Sequence, residues 1–108
     1  MNGQQDVGSL IREARELSGT TASQFAALLR VSSGTVSHLE RDFGPGSNDL
    51  VLHALQLCTR LLAEKYGVSH EKCWTRERCI EELRMVIVFS RAADLQTAIQ
   101  SLPPSAGA

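Results

Sequence analysis

Thr21-Ala22-Ser23-Gln24-Phe25-Ala26-Ala27-Leu28-Leu29-Arg30-Val31-Ser32-Ser33-Gly34-Thr35-Val36-Ser37-His38-Leu39-Glu40 decides how this chain folds. Two short amphipathic segments meet in it, each opened by a residue that starts helices. Thr21 with Gln24 three positions later has capping-box spacing, in which hydroxyl and amide side chains satisfy backbone groups that lack a helical partner. Ser32 opens the second segment. Only Leu29-Arg30-Val31 lies between them, so the turn is tight and the second helix is predicted to leave the first at a steep angle. Phe25, Ala26, Leu29, Val31, Val36 and Leu39 then form the shared inner face.

Upstream, Met1 to Asp6 is a loose polar start, and a first helix is predicted from about Val7 to Leu17 with Leu10, Ile11, Ala14 and Leu17 on one face. Ser18-Gly19-Thr20 ends it. Downstream, Asp42-Phe43-Gly44-Pro45-Gly46 has strong turn chemistry, and Ser47 or Asn48 caps a helix running to about Tyr66. Leu50, Val51, Leu55, Leu57, Leu61 and Leu62 are too many for one stripe, so this helix is expected to be buried on more than one side. Gly67 stops it. A linker from Val68 to Trp74 leads to Thr75, the cap of a last helix from about Arg76 to Gln100, and Pro103 to Ala108 form a frayed tail.

These segments predict an all-α fold of five helices, with residues 1–66 as a helix-turn-helix unit and 67–108 as a linker and C-terminal helix packed on the same domain. The 108 residues amount to one domain, and the 43% hydrophobic content suffices for a packed core. Scarce aromatics make that core aliphatic and alanine-rich. Only Met85 to Phe89 has enough branched apolar residues to be mistaken for a strand. No stretch is long and apolar enough to span a bilayer, and the start lacks the apolar core of a secretory signal, so a cytoplasmic protein without membrane contact is expected.

The segments around Thr21 to Glu40 are similar in spacing to the Cro and XRE-like helix-turn-helix domains of phage repressors and many bacterial regulators, a resemblance covering roughly Leu10 to Tyr66. Ala26 matches that family's small residue facing the second helix, and Val36 matches its aliphatic residue there. Arg15 and Glu40 stand where the family often pairs an arginine late in the opening helix with a glutamate ending the recognition helix. Ala22 departs from the pattern, standing where a DNA-contacting glutamine is frequent. Arg30 departs too, at the place where the turn usually has glycine, so either Arg30 adopts a left-handed conformation or the turn differs locally. The resemblance implies a lambda repressor-like fold and a DNA-binding regulator, most simply a repressor.

On that reading the partner is double-stranded DNA. Ser33, Thr35, Ser37 and His38 point outward from the recognition helix, Ser32 opens it, and Gly34 lets its first turn approach DNA closely. Hydroxyls can meet base edges and the threonine methyl a thymine methyl, without the bidentate specificity of arginine on guanine. Arg41, at the end of the same helix, suits a backbone phosphate. The amides starting at Ala22 and Ser23 can hold another phosphate, with Thr21, Ser23 and Gln24 nearest to it. Arg15 and Glu40 are assigned to structure, as an ion pair setting the angle of the first helix. The formal charge of −1 predicts weak nonspecific binding, because phosphate attraction comes from lysine and arginine. More than one subunit is then needed for useful affinity.

In the last helix Met85, Val88, Ala92, Leu95, Ile99 and Leu102 fall at alternating separations of three and four, the seam of a helix that packs along a partner helix. Two readings stay open: the seam packs back on the chain's own leucine-rich fourth helix, or it forms a homodimer interface. Val86, Ile87 and Phe89 widen the apolar surface, which favours both roles together. A two-fold dimer would set two recognition helices about 34 Å apart and read an inverted repeat. The alternative is a protein-interaction module, such as an antitoxin-like partner that keeps the helix-turn-helix as scaffold and holds another protein with its last helix.

Cys58, Cys73 and Cys79 are odd in number and are expected to be free thiols in a reducing compartment. A zinc site would recruit His70, Cys73 and Cys79 with Cys58 or His53, but the spacing matches no paired knuckle, so no metal or other cofactor is expected. No enzyme is expected either. The chain has no Gly-rich phosphate loop and no nucleophile elbow, and Ser69-His70-Glu71 is too common a run to signify alone.

Overall fold

The computed structural model describes residues 7–42 and 48–101, and within them the chain forms helices and no strands. The elements in order are α1 (Val7–Ser18), α2 (Ala22–Leu29), α3 (Ser33–Asp42), α4 (Asn48–Tyr66) and α5 (Arg76–Gln100). Met85 to Phe89 lies inside α5. Of the turn predicted from Asp42 to Gly46, Asp42 instead ends α3, and the rest of it lies outside the described residues, as do Ser47, the start before Val7, Leu102 and the tail.

Local chemistry places the helix ends. At the head of α2 the Thr21 hydroxyl accepts from the Gln24 N–H at 3.1 Å, and the Thr21 N–H donates to the Gln24 side-chain oxygen at 3.0 Å, so both halves of the capping box form. Arg30 ends α2 in the left-handed region, with φ 63° and ψ 44°. Of the two alternatives for the turn, the left-handed one holds. Gly19 and Gly67, also at positive φ, follow α1 and α4 and need no such concession. Thr75 caps α5 by accepting from the Arg78 N–H at 3.3 Å.

The helices assemble around α1 and α4. Leu10, Ile11 and Ala14 of α1 are buried against α3 and α4, while Phe25 and Ala26 of α2 pack on Val36 and Leu39 of α3. Leu29 and Val31 are partly buried at the edge of that contact. α4 meets α1 on one side and α5 on the other, which is why Val51, Leu55, Leu57 and Leu62 are all buried though they fit no single stripe. The end of α1 is tied down by the end of α4, where the Lys65 ammonium and the Tyr66 hydroxyl both donate to the Leu17 carbonyl at 3.2 Å.

α5 corrects one expectation. Its inward face is Cys79, Leu83, Val86, Ile87 and Ser90, not the three-and-four seam. Met85, Val88, Leu95 and Ile99 are 53–63% exposed, and Ala92 is exposed as well. The reading in which this seam packs on the chain's own α4 is therefore overturned. Val86 and Ile87 belong to the internal contact, and Phe89, 53% exposed, joins the outer stripe. The helix is apolar on two faces and only one of them meets α4.

Candidate nucleic-acid interface

α3 divides cleanly into a held side and an open side. Val36, Leu39 and Glu40 are buried, whereas Ser33, Gly34, Ser37, His38 and Arg41 are exposed. Thr35 differs from the sequence expectation. It is half-buried, its hydroxyl lies 2.9 Å from that of Ser32, and its N–H donates to the Ser32 hydroxyl at 3.1 Å. Both hydroxyls are thus engaged in starting the helix, which removes Thr35 from the freely outward set and makes Ser32 a cap.

Two contacts fix α3 against α1. The Arg15 guanidinium reaches Glu40 through Nε at 2.6 Å and a second nitrogen at 3.1 Å, and donates a third hydrogen bond to the Thr20 carbonyl at 2.9 Å. The side chains are only 12% and 7% exposed. The hydrogen bond to Glu40 holds the Arg15 pKa above the ordinary arginine value, against the opposing effect of burial. Beside this pair the backbone of Gly8 packs on the end of α3 so closely that an added Cβ would lie 2.5 Å from the Glu40 carbonyl oxygen and 2.7 Å from that of Leu39. The glycine is what lets the two helices meet there.

A notch of about 330 Å³ opens above the ion pair, lined by Arg12, Arg15, Ala22, Ser37, Glu40 and Arg41. It brings together the start of α2, the open side of α3 and α1. Thr21, Ser23 and Gln24 are exposed at the head of α2, with Thr21 and Gln24 committed to the capping box, so Ala22 is the α2 residue that lines the notch. No motif in the sequence singles out Arg12. It lies one turn before Arg15, a spacing that puts both on one side of α1, and its Nε donates to Glu16 at 3.1 Å on the surface. The Arg12 and Arg41 guanidinium groups beside a helix start make a setting suited to an anion.

Among the described residues, none of the outer stripe of α5 lines this notch. From Arg91 to Gln100 every residue but Ala93 is exposed, so the second half of the helix has little intramolecular cover. Arg91 itself is ion-paired with Glu13 of α1. Leu102, the last member of the seam, lies outside the described residues.

The three cysteines are free and buried. Burial pushes the Cys58 thiol far up and raises that of Cys79, with the neighbouring Cys73 adding to the latter. Among the described residues no group of three His, Cys, Asp or Glu side chains is placed to hold a metal ion, and no helix is long and apolar enough to cross a membrane. Comparison with protein-family models, with curated proteins and with solved structures finds no match to this chain.

Proposed function

We propose that this chain is a sequence-specific DNA-binding regulator, most simply a repressor, that presents α3 to the major groove as an XRE-like helix-turn-helix and reads an inverted repeat as a homodimer. The observation that carries this reading is the open side of α3, where Ser33, Gly34, Ser37, His38 and Arg41 are exposed on a helix held from behind by a two-pronged ion pair. Small hydroxyl side chains and a glycine leave that side low enough for close approach to base edges, and Arg41 with Arg12 flanks the notch where a phosphate would sit. The XRE-like resemblance of residues Leu10 to Tyr66 supports the same assignment. Selection of bound sequences from a random DNA pool at near-physiological salt, with the mass of the protein measured alongside, tests it directly. An enriched inverted repeat bound by a dimer supports the reading, and no enrichment by folded protein removes it.

Gly34→Ala separates fold from recognition. The nearest atom to an added Cβ is the Ser32 hydroxyl at 3.8 Å, an ordinary contact, so the helix should be more stable by up to about 1 kcal/mol. DNA affinity is expected to fall at least tenfold all the same, because the methyl meets the DNA. Denaturation and binding titrations on the same variant check both halves.

The homodimer rests on the outer stripe of α5, whose seam spacing suits a matching helix and whose far half has little cover within the chain. Leu95→Glu with Ile99→Glu should shift the protein to monomer in sedimentation equilibrium and weaken operator binding with it. The same exposed stripe favours a second reading, an antitoxin-like interaction module whose α5 holds a different protein. A wild-type chain that sediments as a monomer would move the assignment there.

A further inference from the structure

A cleft of about 370 Å³ opens between the end of α2, one flank of α4 and the segment leading into α5, and among the described residues none of α3 lines it. Its volume falls in the range of sites for small organic molecules. Leu57, Cys73 and Cys79 give it a buried apolar floor, and Leu28, 53% exposed, stands as an open apolar wall. The walls are tied in place. The Gln56 amide donates to the Cys73 carbonyl at 2.6 Å, the Cys79 thiol donates to the same carbonyl at 3.3 Å, and the Glu71 N–H donates to the Glu82 carboxylate at 2.9 Å.

The charges around it are unevenly used. Glu82 is committed to the Glu71 amide, and Glu71 lies 3.8 Å from Arg78. Lys72 is drawn over the Trp74 ring at 4.8 Å. Arg30 and Arg60 also line the cleft, and neither has an acidic partner among the described residues. Arg30 moreover occupies a left-handed position where glycine would be unstrained, so its guanidinium is carried at a cost to the fold. Local rules broken in this way concentrate at functional sites.

We propose that the cleft binds a small amphipathic anion, a single carboxylate, sulfonate or phosphate group on an apolar body. Arg30 and Arg60 take the anionic group by charge-assisted hydrogen bonds, and Leu28 and Leu57 cover the body. A bound anion would also bear on the turn that leads into α3; that consequence rests on the DNA-binding reading, whereas the binding itself does not.

Anilinonaphthalene sulfonate, an apolar body with one fixed anionic group, is the probe, titrated into the full chain by fluorescence with equilibrium dialysis for the stoichiometry. The expected result is one probe bound in the cleft per chain, with affinity lowered roughly tenfold by Arg60→Glu and by Arg30→Gly. Arg30→Gly should raise the melting temperature while it lowers affinity, so weaker binding cannot be a folding defect. The uncharged analogue phenylnaphthylamine should bind at least tenfold more weakly, and Leu95→Glu should leave the sulfonate's affinity intact. Unchanged affinity in both arginine variants, equal affinity for the uncharged analogue, or binding abolished by Leu95→Glu would each overturn the proposal. None of these readouts involves DNA, so failure here is distinct from failure of the regulator assignment.

Discussion

Glu40→Ala is expected to lower the unfolding free energy by about 3 kcal/mol, a loss comparable to deleting a large core side chain. The pair is 12% and 7% exposed, so removing the carboxylate leaves the Arg15 guanidinium largely enclosed with the Thr20 carbonyl as its remaining partner. Desolvation of an unmatched charge, more than the attraction given up, sets the size of the effect. The double variant Arg15→Met with Glu40→Met should recover most of the loss, because two apolar side chains of similar reach leave no enclosed charge and only the Thr20 carbonyl loses a donor. Urea unfolding of both variants checks this. A loss below about 1 kcal/mol for Glu40→Ala would show that the pair behaves as a surface ion pair and does not anchor α3.

Gly8→Ala is expected to destabilise the fold, against the usual sign of this replacement in a helix. In a helix this replacement ordinarily stabilises by about 0.5–1 kcal/mol, since alanine has less backbone freedom to lose. Here the new Cβ would stand 2.5 Å from the Glu40 carbonyl oxygen, 2.7 Å from that of Leu39 and 2.9 Å from the Glu40 carbonyl carbon. These are backbone atoms of α3, which cannot rotate aside as a flexible side chain would. The helices must separate, and a loss of about 2 kcal/mol is expected, in the range of overpacked cores. Thermal unfolding decides the sign. Because the displaced atoms include the carbonyl of Glu40, the variant should also weaken any DNA binding that depends on where α3 points.

Short-range chemistry was legible in the residues themselves. Thr21 and Gln24 form a capping box because both partners lie within one helical turn, so no distant contact is needed to bring them together. Arg15 and Glu40 are 25 positions apart and still pair, which only the resemblance to XRE-like domains anticipated. Thr35 shows the limit of reading a helix by its outward positions. A hydroxyl three residues after a capping serine has a partner within its own helix, and that contact engages Thr35 in starting α3.

The set of helices and most of their ends follow from neighbouring residues, since caps, left-handed stops and apolar periodicity act within a few residues of one another. The bounds Arg76–Gln100 are an instance, read from Thr75 and the pattern behind it. Which of the two apolar faces of α5 turns inward is set by long-range packing. Periodicity reveals that Val86 and Ile87 on one side and Val88 and Leu95 on the other are stripes, but the choice between them depends on the shape of α4, to which no residue of α5 testifies. Gly8, Arg12 and the cleft beside Arg30 and Arg60 belong with that choice. Each owes its meaning to atoms far away in the chain, brought near by the packing of α1, α3 and α4, and a linear pattern carries no record of distances across space.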